Sequence, residues 1–195
     1  PKNDLLSAIA NAHIEGEELS PEFLDGSWLL IVFAGNDTTR NTMSGGIKLL
    51  NDNPYQKKLV LENSENITGL LNETVRYVSP VIHMRRTSLD ETEIGGQKIG
   101  PYEKIALWYG AANRDPDIFD SPDEFNILRS NADKHLAFGI GRHTCLGKPV
   151  ALMQLREFFS QFLLRFPDYK VTGDWKVAPN NFVHAIQELP VRLKK

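Results

Sequence analysis

The pattern of apolar and polar positions along the chain reads mainly as helix, with short strands in between. Asp4 to Ala12 is a short amphipathic helix, and Ile14 to Leu19 a polar turn or hairpin around Gly16. Ser20 followed by Pro21 is a start signal, a cap and then a proline in the first turn, and no further proline occurs before Pro54. That gap accommodates one helix over about 21–51. Its middle, Trp28 to Ala34, is apolar on every face, which marks a helix buried all round; a buried strand ending in a glycine turn fits the same run. Pro54 to Glu62 predicts a short helix. Glu65 to Val78 predicts another, with Ile67, Leu70, Leu71, Val75 and Val78 on one side and Glu73 and Arg76 on the other.

Short strands are predicted around Val81 to Thr87, Thr92 to Ile99 and Lys104 to Tyr109, broken by Gly95-Gly96 and Gly100-Pro101. Residues 113–137 show no sustained period and read as a long loop; such a length inside a compact domain is usually functional or disordered. A last helix over about 146–165 carries Leu152, Leu155, Phe159, Phe162, Leu163 and Phe166 at helical spacing, and small closing strands follow near Val171, Phe182 to Ala185 and Val191 to Leu193. The fold class is therefore mainly α with small β-sheets.

Composition narrows the function. At 195 residues and 41% hydrophobic content the chain is one ordinary domain with a substantial core, which excludes a disordered segment. A net charge of −3 with both signs spread along the chain gives no reason to expect a nucleic-acid or membrane-surface footprint. The single cysteine cannot form an intrachain disulfide and no secretory pattern opens the sequence, so a cytoplasmic location is expected. The longest apolar run, Trp28 to Ala34, is too short for a membrane span.

Three segments carry chemistry. In Phe138-Gly139-Ile140-Gly141-Arg142-His143-Thr144-Cys145-Leu146-Gly147, two glycines allow a tight path and Cys145 falls at the start of the last helix. Unpaired amides and the helix dipole favour an anion there, hence a thiolate; the alternative is a small buried hydrophobe. In Ala34-Gly35-Asn36-Asp37-Thr38-Thr39 an acid and a hydroxyl end an apolar run and need partners. Thr38 bonding back to the Ala34 carbonyl would bend the helix and open a groove; a cap at a helix break is the plainer reading. Glu73 and Arg76 have the spacing of an ion pair on a solvated helix face, worth about 0.2–0.5 kcal/mol.

Together these segments resemble the cytochrome P-450 family: its haem-ligand loop at every fixed position from Phe138 to Gly147, its distal-helix motif at residues 34–39, and its Glu-x-x-Arg helix at Glu73 and Arg76. The resemblance implies the C-terminal haem-binding portion of that fold, holding haem b with Cys145 as the sulfur ligand to iron. It implies that Phe138 shields the sulfur, that amides after Cys145 bond to it, and that Gly139 and Gly147 lie against the cofactor. His143 would reach a haem propionate, as would Arg85, with Arg86 beside it as the alternative. Asp37 and Thr38 would help deliver protons during dioxygen activation. Arg129 would join Glu73 and Arg76 in a buried lock on the loop that presents Cys145. His135 matches a frequent family residue near the cofactor and fits a satisfied structural histidine equally well. Asn113-Arg114-Asp115-Pro116 matches a structural segment.

Similarity runs from about Asp4 to Leu193, and the family's N-terminal half lies outside this sequence. The implied activity is hydroxylation of an unactivated C–H bond, with bacterial hydroxylases of alkanes, fatty acyl chains and sterol side chains most alike. Electrons would come from NAD(P)H through a ferredoxin or flavoprotein meeting Arg142, Lys148 and Lys134. Val81, Ile82 and Met84 line an apolar substrate pocket or belong to the core. A peroxide-driven relative and a truncated, non-catalytic haem-binding module are the alternatives.

Overall fold

The computed structural model describes residues 2–194, which form two compact units that part between Asp37 and Thr38. The first unit holds α1 (Leu5–Ala10), the hairpin of β1 (His13–Ile14) and β2 (Glu17–Glu18), and the opening turns of α2 (Pro21–Asp52). Ser20 caps α2 as the sequence predicts: its hydroxyl accepts from the Phe23 amide and its carbonyl from the Leu24 amide.

The apolar run in α2 is helix, not strand, and it is not buried all round. Leu29, Leu30 and Val32 are 72%, 64% and 68% exposed. Buried positions of α2 begin only at Thr39 and continue through Asn41, Thr42, Gly45, Gly46, Ile47 and Leu50. An all-apolar surface shows what a helix face can be packed against, and within these residues no cover lies over that face.

The second unit is built on the end of α2, α3 (Pro54–Glu62), α4 (Ile67–Val78) and α6 (Lys148–Arg165). A turn of 3-10 helix at Ser64–Asn66 precedes α4. Ile47 and Leu50, Val60, then Leu70, Leu71 and Val75, and Leu155, Phe159 and Leu163 bring one apolar stripe from each helix into a single core. Tyr169, fully buried, closes it. Its hydroxyl donates to the Ile47 carbonyl at 2.8 Å, and the Lys57 ammonium lies 3.8 Å over its ring while donating to its carbonyl.

Strands pair locally. β3 (His83–Thr87) runs antiparallel to β6 (Lys104–Trp108), β4 (Thr92–Ile94) to β5 (Gln97–Ile99), β7 (Lys170–Val171) to β10 (Val191–Arg192), and β8 (Lys176–Ala178) to β9 (Ala185–Glu188). A short helix, α5 (Tyr109–Ala112), follows β6 where the sequence suggested only the strand's end. Residues 113–137 form the long loop, interrupted by one 3-10 turn at Ala132–Lys134. α6 starts at Lys148, two residues later than its apolar spacing suggested, with Gly147 as cap and Pro149 in its first turn.

Candidate functional site

The side of α4 read from spacing as solvated is buried. Glu73 and Arg76 are both inaccessible to solvent and form a two-pronged pair, Nε to Oε2 and Nη2 to Oε1, each at 2.7 Å. Arg129 enters from the loop, its Nε 3.3 Å from Glu73 Oε2, and the Asn126 amide donates to Glu73 Oε1 at 2.9 Å. The guanidiniums spend their remaining donors on loop carbonyls. Arg76 reaches Asn113, Pro122 and Glu124; Arg129 reaches Asp120, Ser121 and Glu124. One carboxylate and two cations thus organise the irregular stretch that leads to Cys145, which is why a loop of this length is ordered. The loop also presses close to α4: a methyl at Gly69 would stand 2.1 Å from the Ile127 carbonyl oxygen.

The cysteine segment is closed by its own backbone. The Cys145 amide donates to the Phe138 carbonyl at 2.8 Å, and within that ring Gly141–His143 make a 3-10 turn. Gly139 takes φ +69°, and a Cβ there would stand 2.9 Å from the His143 carbonyl oxygen, so glycine is required by conformation and by space. Cys145 lies two residues before the α6 cap rather than in the helix, and its carbonyl accepts from the Lys148 amide. Among the described residues no hydrogen bond reaches the sulfur, and a Cβ on Gly147 would sit 3.9 Å from Sγ. Cys145 is exposed, as are Ile140, Arg142, His143, Leu146 and Lys148.

His135 sits beneath this segment, 7% exposed. Its Nδ1 accepts from the Ala137 amide, its ring tilts against Phe138 at 5.5 Å, and burial, then the Lys148 charge, depress its pKa to about 4. This neutral imidazole packs and supports Phe138. Phe138 is half-buried, with the Lys148 ammonium 5.5 Å from its ring.

On β3, Arg85 and Arg86 fall on opposite faces. Arg86 turns back to donate to the Arg85 carbonyl, whereas Arg85 is exposed and, among the described residues, its guanidinium makes no hydrogen bond. Asp37 and Thr38 are half-buried on α2; the Thr42 hydroxyl donates to the Thr38 carbonyl at 2.8 Å. Val81, Ile82 and Met84 are half-buried, and Val81 bridges Val183.

These residues fit a haem. One exposed sulfur donor suits a metal whose other positions are filled by a macrocycle, and among the described residues no cluster of three or more His, Cys, Asp or Glu could chelate a bare ion. Ile140 and Leu146, 75% and 80% exposed on the same segment as Cys145, offer apolar surface suited to a flat ring, and Arg85 offers an uncommitted fork for a carboxylate.

The chain belongs to the cytochrome P-450 family, whose model matches residues 1–182. It is 36% identical over 193 residues to a linalool 8-monooxygenase of Pseudomonas putida, covering 99% of this chain and 47% of that protein. It is also 36% identical over 193 residues to a steroid C26-monooxygenase of Mycolicibacterium smegmatis, covering 98% and 48%. A Mycobacterium marinum cytochrome P-450, solved in complex with pseudoionone, superposes with a TM-score of 0.93 at 40% identity, over 98% of this chain and 46% of that one. The chain spans about half the length of the curated relatives it matches. Among the described residues no helix is long and apolar enough to cross a membrane.

Proposed function

We propose that this chain is the haem-carrying portion of a monooxygenase that hydroxylates an unactivated C–H bond of an apolar substrate, with an alkyl, fatty acyl, terpenoid or sterol side chain. The carrying observation is a single thiol, presented on an exposed segment that is closed on itself and braced from below by buried charge. Bound haem would supply dioxygen activation, with electrons from NAD(P)H by way of a ferredoxin or flavoprotein.

Cys145 would hold the iron through sulfur, and Arg85 and His143 would take the propionates; Arg86 is less suited because its guanidinium is already engaged. Phe138, Gly139 and Gly147 shape the sulfur's surroundings, while His135 stays neutral and holds Phe138 in place. Asp37 and Thr38 would pass protons toward the reacting centre, which favours a reductase-driven over a peroxide-driven enzyme. The apolar substrate class is supported by the relatives named for linalool and steroid C26 oxidation, and by the half-buried apolar side chains of Val81, Ile82 and Met84.

The test is the reduced, carbonyl-bound absorption spectrum of the full-length protein. Wild type shows the long-wavelength band of sulfur ligation and Cys145→Ser abolishes it; retention of that band by the serine variant would end this assignment.

A further inference from the structure

Asn113 carries more than its place in a loop requires. It is completely buried and uses every polar group. Its amide donates to the Tyr109 carbonyl at 2.8 Å, its carbonyl accepts from Arg76 at 2.7 Å, its Nδ2 donates to Ser79 Oγ at 2.8 Å, and its Oδ1 accepts from the Leu136 amide at 2.7 Å. The direction of these bonds is fixed by the partners. The Ser79 hydroxyl hydrogen is committed to the Arg76 carbonyl, so its oxygen accepts; the Leu136 amide can only donate. The position therefore demands one donor and one acceptor on a short planar side chain. Aspartate lacks the donor and leucine lacks both.

The tether lands two residues before Phe138. From Leu136 the connection continues locally: its carbonyl accepts from the Gly139 amide, and the Phe138 carbonyl accepts from Cys145. Ser79, at the other end, ends α4 in a left-handed conformation and leads the chain toward β3 and Arg85. One residue thus links, through its main-chain carbonyl, the buried ion cluster and, through its side chain, the turn that leads to β3 and the base of the cysteine segment.

We infer that Asn113 is a positioning residue for the thiolate: it holds Leu136, and through it the Phe138 to Cys145 ring, at the height at which the sulfur meets the iron. The inference rests on the reading of Cys145 as the sulfur ligand. In the haem-loaded full-length protein, Asn113→Leu removes the Leu136 acceptor. It shifts the balance between forms with and without the long-wavelength carbonyl band by roughly five- to thirtyfold, the factor expected for one lost buried hydrogen bond. Asn113→Asp keeps the acceptor for Leu136 but not the donor to Ser79, and loses less of the band than Asn113→Leu. Tyr169→Phe, which also loses a buried hydrogen bond, lowers Tm but leaves the band in place. If Asn113→Leu yields no folded protein, Ser79→Ala frees the amide to rotate and gives a smaller loss in the same direction. An unchanged band fraction in Asn113→Leu or Ser79→Ala overturns the inference, as does a loss in Tyr169→Phe matching that of Asn113→Leu at equal Tm. A wild-type protein without the band would instead remove the haem reading itself.

Discussion

Glu73 and Cys145 occupy opposite surroundings. The carboxylate is sealed from solvent and answered by two arginines and a backbone amide, whereas the sulfur lies in an exposed stretch and, among the described residues, receives no hydrogen bond. The contrast separates two tasks. Rigidity is placed underneath, where low polarity strengthens every charge-assisted bond, and the sulfur is left exposed on a backbone that closes on itself.

Removing the buried partner gives the largest effect. In the haem-free protein, Glu73→Ala leaves Arg76 and Arg129 without their carboxylate and lowers stability by about 3–5 kcal/mol, whereas Cys145→Ser changes it by no more than about 0.5 kcal/mol. Denaturant midpoints of the two variants measure this; equal losses would break the contrast.

Acid probes the boundary between the regions. His135, held neutral at a pKa of about 4 against an ordinary 6.5, binds a proton in the unfolded chain before the folded one. Its contribution is complete above about pH 6.5 and declines toward pH 4, by up to about 1.4 kcal/mol per pH unit. Stability measured across that window falls less steeply in His135→Gln; an identical slope would exclude this histidine as the source.

Gly139→Ala acts on the exposed side. Its positive φ and the nearby His143 carbonyl predict a loss of about 1–3 kcal/mol, read as a lower unfolding temperature. The smallest stability change belongs to Arg142→Glu combined with Lys148→Glu, within about 0.5 kcal/mol. The pair nonetheless slows reduction by an acidic electron donor at low ionic strength, with the deficit shrinking as salt rises. A salt-independent rate equal to wild type would show that the donor docks elsewhere.

Some of this architecture is legible in the sequence for local reasons. The interval between Pro21 and Pro54 sets the span of α2 because each proline permits a helix start and forbids a helix interior. The late start of α6 was equally available, since Gly147 and Pro149 form a cap and first-turn signal that apolar spacing obscured. Exposure of Leu29, Leu30 and Val32 was not legible, because hydropathy records an affinity and not the presence of a partner. Glu73 and Arg76 illustrate the same limit: their spacing fits a wet surface pair, and only the docking of residues 113–129 turns it into a buried one. The links of Asn113 are not legible either, because its side-chain partners stand 34 residues before and 23 after it, separations that no local pattern expresses.

Tyr169 has a consequence for synthesis. Its hydroxyl meets a carbonyl 122 residues earlier, on α2. At about 5–20 residues per second, a ribosome releases that tyrosine roughly 6–24 s after the helix it anchors. During that interval the inner face of α2 waits without its terminal clasp, so a nascent chain of this kind depends on whatever shelters apolar surface at the exit tunnel until that tyrosine arrives.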